Sequence, residues 1–129
     1  MARCPVVRPE SVRLPLSGDD YIDVKKRLNT GEYRRVIFSQ YKDSGAVDME
    51  QMGVSKILGY VLGWSFVNLD GSPLPFTRDA LLSIDPDSFR EVLEAVEAHE
   101  DAQDQVRSEE KNAQRGEIPS PAISPSVVG

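Results

Sequence analysis

A chain of 129 residues with 40% hydrophobic content can enclose one modest core. One cysteine and one histidine exclude an internal disulfide, a C-x-x-C centre, a two-histidine zinc site and a His-x-x-x-His helix. The net charge of −6 is unevenly spread: residues 1–42 carry nine Lys/Arg against five Asp/Glu, and residues 43–129 carry six against sixteen.

Residues 1–10 read as a flexible leader in which Cys4 is an inert thiol. Met-Ala-Arg-Cys-Pro-Val-Val-Arg contains no apolar stretch of the length a secretory signal needs, so a cytoplasmic location is expected. A single domain is expected over residues 11–111, mainly α with a small N-terminal β-hairpin (α+β) and three to four helices. The hairpin comes first: residues 12–16 and 21–28 flank Ser17-Gly-Asp-Asp20, a turn-type cluster. Pro15 confines the first arm to a sheet edge. In the second arm Ile22 and Val24 share one side and Lys26 breaks the alternation, so residues 24–28 also admit a helical turn.

Asn29-Thr-Gly-Glu32 offers a capped start to a helix over about 31–42, with Tyr33, Val36, Ile37 and Tyr41 on one face and Arg34 and Arg35 on the polar side. After a break at Gly45, the spacing predicts a helix over about 47–62, because Val54, Ile57, Leu58, Val61 and Leu62 recur at i, i+3, i+4, i+7 and i+8. Gly59 and Gly63 lie opposite that stripe as a Gly-x-x-x-Gly pair, a flat back that a second helix could approach closely. Gly63 equally suits a helix C-cap, with Gly59 a tolerated weak point.

The run Trp64-Ser-Phe-Val67 reads as extended, Asp70-Gly71 as a turn, and Pro73-Leu-Pro75 cannot be helix interior. Thr77 caps a short helix over 78–83. Asp85-Pro86 then opens a long helix anchored by Phe89, Val92, Leu93 and Val96. Beyond His99 only Ala102 and Val106 extend a thin apolar stripe, and the helix is expected to project in part. From Asn112, Pro119, Pro121 and Pro125 among serines and small residues predict a disordered tail over 112–129.

No stretch of this chain carries recognisable catalytic chemistry. The run Gly63-Trp-Ser-Phe-Val67 begins like a nucleophile elbow, but Val67 stands where a second glycine is required. Neither phosphate-cradling glycine loop is present. Glu91, Glu94 and Glu97 have the spacing of a solvated helix face, and His99 sits at the margin of the apolar stripe as a packed or half-exposed imidazole. The apolar window 54–67 falls short of the roughly 20 residues that span a bilayer. Lys25-Lys-Arg27 and Arg34-Arg35, interleaved with Tyr21, Tyr33 and Tyr41, are the one candidate nucleic-acid surface. A duplex binder needs a net basic face, so nucleic acid is not an expected partner. The charge division instead favours solubility and head-to-tail stacking of copies.

Three stretches taken together, Arg13-Leu-Pro-Leu-Ser-Gly-Asp-Asp-Tyr-Ile-Asp-Val-Lys-Lys-Arg-Leu-Asn-Thr-Gly-Glu32, Leu62-Gly-Trp-Ser-Phe-Val-Asn-Leu-Asp-Gly-Ser-Pro-Leu-Pro-Phe-Thr77 and Ile84-Asp-Pro-Asp-Ser-Phe89, resemble the tail assembly chaperones of long-tailed bacteriophages. The similarity covers about residues 11–100 and rests on the order and spacing of the three pieces. It implies a non-enzymatic protein of the host cytoplasm, without metal or cofactor, that accompanies the tape measure protein while the tail tube is built and is absent from the finished particle. Members often occur as a short and a frameshifted longer form, and the Pro/Ser tail would suit the end of a short form. Expected partners are the tape measure protein, the tail tube protein and further copies of the chain, with no membrane. A permanent virion role in the tail or head–tail junction is the alternative. Candidate partner-binding residues are Gly59, Tyr60, Gly63 and Trp64, followed by Ala102 and Val106; Trp64 also reads as packing beneath the connector.

Overall fold

The computed structural model describes residues 2–41, 45–46 and 48–115. The protein is α+β, with strands β1 (Ser11–Pro15), β2 (Tyr21–Lys25) and β3 (Val61–Trp64) and helices α1 (Thr30–Phe38), α2 (Met49–Tyr60), α3 (Arg78–Ser83) and α4 (Pro86–Arg115). Two compact units are distinguished, Met1–Ala98 and His99–Gly129, and α4 runs through the boundary. The three strands form one antiparallel sheet in the order β1-β2-β3.

The hairpin forms where the turn residues place it. Gly18 takes a positive φ of 65° and Leu16 N–H donates to Asp20 O at 2.8 Å, closing β1 on β2 with Arg13 opposite Asp23 and Leu14 opposite Ile22. Because side chains alternate along a strand, Val12, Leu14, Ile22 and Val24 face the core, and Ile22 and Val24 are fully buried. Residues 24–28 do not wind into a helical turn: β2 continues to Lys25, and Lys26 N–H is held by Glu10 O.

The expected helix over 47–62 is shorter, and a strand replaces its end. α2 stops at Tyr60, and Val61–Trp64 pairs with β2, making β2 the central strand. Val61 fits a helical stripe and a strand equally well, and its β-branched side chain is placed by Val24 across the ladder rather than by its own helix. Leu62, expected in the buried stripe, is consequently 52% exposed. The apolar face of α2 is therefore Val54, Ile57 and Tyr60, with Leu58 packed against the core as the stripe predicts.

α1 also differs from its expected span of 31–42. Its capping box is as the sequence predicts, with Glu32 N–H donating to Asn29 Oδ1 and Asn29 N–H to Glu32 Oε1. It ends at Phe38, which puts Tyr41 outside the helical period. Val36 alone of the expected face is buried, and Tyr33 and Tyr41 are exposed.

α3 is capped by Thr77, whose Oγ1 accepts from Ala80 N–H at 3.0 Å. Asp85 caps α4 by accepting from Ser88 N–H and Oγ, and these bonds hold its carboxyl below the usual range. Val92 and Val96 are fully buried with Leu81 and Ile57, and Phe89 and Leu93 pack against that cluster as their spacing predicts. α4 carries residues 112–115 within the helix, where an irregular tail was expected, because Asn112-Ala-Gln-Arg is helix-compatible and the first breaker is Gly116. The rest of that expected tail, residues 116–129, lies outside the described residues.

Glu32 provides a pH-dependent contribution to this fold. Lys25 Nζ at 2.6 Å, followed by the Asn29 N–H, holds its carboxyl below the ordinary value of 4.5. A group depressed in the folded state stabilises it above the unfolded value and loses that contribution as pH falls through the folded one. Urea midpoints measured from neutrality downwards should therefore drop on acidification below 4.5, and the drop should be shallower in Glu32→Gln. Coincident acid limbs for the two proteins would refute this.

Candidate functional site

The first two of the sequence stretches singled out above meet at Trp64, which stands opposite Ile22. Its indole Nε1 donates to Leu74 O at 2.7 Å, and its ring lies 5.0 Å from Phe66, tilted, and 4.9 Å from Phe76, edge-on. Residues 66–74 fold back on themselves: Leu74 N–H bonds Phe66 O, Asn68 N–H bonds Ser72 O, and Gly71 turns the chain at φ 86°. Asp70 closes the tip by accepting from Ser72 N–H and Oγ, which keeps its carboxyl below the usual range.

Neighbouring Ser65 joins this connector to the hairpin. Its Oγ accepts from Tyr21 N–H at 2.9 Å and donates to Asp20 Oδ1 at 2.9 Å, while its own N–H bonds Tyr21 O at 3.1 Å. From the other side, Glu91 of α4 accepts from both the Ser17 N–H and the Ser17 Oγ. The opening, the connector and the Asp85-initiated helix are thus tied together by side chains drawn from each.

The predicted partner residues do not share a helical face. Gly59 is indeed closely approached, but by this chain's own α1: a Cβ at Gly59 would overlap Val36 Cγ2. Tyr60 is 6% exposed and belongs to the core. Gly63 is neither a helix C-cap nor half of a glycine pair on a helix; it lies in β3 opposite Asp23, with open space where its Cβ would stand. Trp64 is half-buried beneath the connector, the packing alternative raised by the sequence. Ala102 and Val106 lie in the second unit and are exposed.

The outer face of the sheet went unread in the sequence. Arg13 makes a two-bond contact with Asp23, Nε to Oδ1 at 2.9 Å and Nη2 to Oδ2 at 3.2 Å, and lies 3.8 Å over the Tyr21 ring. Ser11, Arg13, Asp23, Leu62 and Gly63 line a shallow open depression there. The alternation of Val12/Leu14 with Arg13 was the signal for it. Among the described residues no cluster of three or more His, Cys, Asp or Glu is placed to hold a metal, and no helix is long and apolar enough to cross a membrane. What the arrangement offers is surface: Leu62, Val67, Leu69 and Leu82 expose apolar side chains along the stretch that Trp64 anchors. No family model, curated protein or solved structure matches the chain.

The Gly59 contact can be tested directly. Gly59→Ala should destabilise by about 1–3 kcal/mol, because overpacking against Val36 outweighs the helix propensity gained. Adding Val36→Ala should recover part of that loss, giving a favourable coupling in a double-mutant cycle read by urea unfolding. A more stable Gly59→Ala variant would mean that α1 and α2 do not approach there.

Proposed function

We propose that this protein is a non-enzymatic assembly chaperone of long-tailed bacteriophages, acting in the host cytoplasm to bind the tape measure protein and keep it soluble while the tail tube is built. The observation that carries the reading is the joining of the first two resembling stretches through Asp20, Tyr21 and Ser65, with the helix that the third stretch opens tied to the first through Ser17 and Glu91. Pieces that are individually unspecific in sequence form one bonded unit, which is what a family signature of structural origin requires. Tape measure proteins are long and helical, so their apolar stripes aggregate unless covered. Val67 and Leu69, held out on the anchored connector, and Leu82 provide apolar side chains to cover them.

Co-expression with a tape measure protein tests this. The wild-type chain should hold the tape measure protein in the soluble fraction, and a Val67→Ser/Leu69→Ser variant, altered only at exposed positions, should hold markedly less. Equal aggregation with and without the wild-type chain would overturn the proposal. Stoichiometric recovery of this chain from purified virions would assign it instead a permanent structural role.

A further inference from the structure

We infer that the Asp70–Gly71 link at the tip of the connector is a site of spontaneous isoaspartate formation, and that Ser72 holds it in an unreactive state. The inference does not rest on the chaperone reading. This is the one Asp-Gly pair of the chain, which has no Asn-Gly pair. Glycine carries no Cβ to shield its nitrogen, so a backbone N following an aspartate reaches the side-chain carboxyl most easily when it belongs to glycine. Asp70, Gly71 and Ser72 are all exposed.

The reaction joins Gly71 N to Asp70 Cγ. As that bond forms, the carboxyl OH leaves with the Gly71 amide proton as water, and a five-membered succinimide results. A second water opens the ring. Attack at Cγ restores aspartate, whereas attack at the Asp70 main-chain carbonyl breaks its bond to Gly71 N and leaves the chain running through Cγ, one methylene longer. Ring closure proceeds from a neutral carboxyl, an unengaged amide and a side chain free to turn towards it, and the connector withholds each of these. The Gly71 N–H donates to Asn68 O at 2.9 Å. Asp70 Oδ1 accepts from Ser72 Oγ at 2.6 Å and from Ser72 N–H at 2.9 Å, bonds that favour the ionised form and keep the carboxyl below its usual range. The same two bonds tie the side chain to the residue beyond Gly71. Asn68 Nδ2 braces Ser72 in turn, donating to its Oγ at 3.1 Å and to Pro73 O at 3.2 Å. Isomerisation would lengthen the backbone directly after Leu69, in the turn that carries this side chain into solvent.

Ageing the full chain at neutral pH, in native buffer and in guanidinium chloride, tests the inference. Isoaspartate is counted by methyltransferase labelling of the tryptic peptide over residues 57–78, in which Asp70 is the one aspartate. In native buffer Ser72→Ala should accumulate it about fivefold faster than wild type, the factor expected for one lost hydrogen bond. Ser72→Thr, which keeps the hydroxyl, should stay near the wild-type rate. In denaturant all three should react at similar rates, faster than the folded wild type, and this comparison of the two solvents needs no variant. Circular dichroism verifies that each variant is folded in native buffer. Equal rates for folded wild type and Ser72→Ala, equal rates for folded and denatured wild type, or no isoaspartate at Asp70 in the denatured chain would overturn the inference.

Discussion

The register shift between β2 and β3 is the constraint on which the rest of the first unit depends. Val61 stands opposite Val24, but Gly63, not Leu62, stands opposite Asp23, so Leu62 is an extra residue bulged out of the ladder. In an unshifted ladder Leu62 would face Asp23 and Trp64 would point to the outer side of the sheet with Tyr21. The bulge brings Trp64 opposite Ile22 on the core side, while Leu62 stays in solvent. A one-residue irregularity therefore decides that the large Trp64 side chain is packed rather than displayed.

Several consequences follow from the inward Trp64. Its ring receives Phe66 and Phe76, its N–H takes the Leu74 carbonyl, and the connector is closed over it. Ser65, next in the chain, must then point the other way, where it reaches Asp20 and Tyr21. The energies differ in kind. Burying Ile22, Ile57, Leu81 and Val92 contributes about 1.5–3 kcal/mol each, whereas a hydrogen bond such as Ser65 to Asp20 contributes net about 0.5–1.5 kcal/mol. The core holds the unit together, and the polar ties fix how the hairpin, the connector and the start of α4 are arranged.

Local signals were readable in the sequence and non-local ones were not. Asn29, Thr77 and Asp85 cap helices within three residues of themselves, and the turn at Gly18 closes strands on either side of it, so each was placed from neighbours alone. Phe89, Val92, Leu93 and Val96 could be read because a long regular helix keeps its period. Val61 and Leu62 could not, since they complete a helical stripe begun at Val54, and only pairing with the distant β2 turns them into strand. The glycine pair failed for the same reason: Gly59 and Gly63 share a face only if the helix continues past Tyr60. What survived of that reading is the close approach at Gly59, with the approaching helix being α1. The stripe Tyr33, Val36, Ile37 and Tyr41 met the same limit, because α1 stops at Phe38 and needs only Val36 to fill the space above Gly59.

Four exposed apolar residues of the first unit are clustered in sequence, and the bulge explains part of the clustering. Leu62, Val67, Leu69 and Leu82 belong to the segment that leaves β2 through β3, passes over Trp64 and enters α3. Once Trp64 and Phe66 turn inward, Val67 alternates outward, and the turn closed by Asp70 and Ser72 carries Leu69 into solvent. A loop pinned at its base by an indole and at its tip by an Asp–Ser bond has already lost much of its conformational freedom. Apolar side chains displayed on such a loop bind a partner with less ordering cost than the same residues on a free segment. The arrangement that buries the single tryptophan is thus also the one that presents its neighbours.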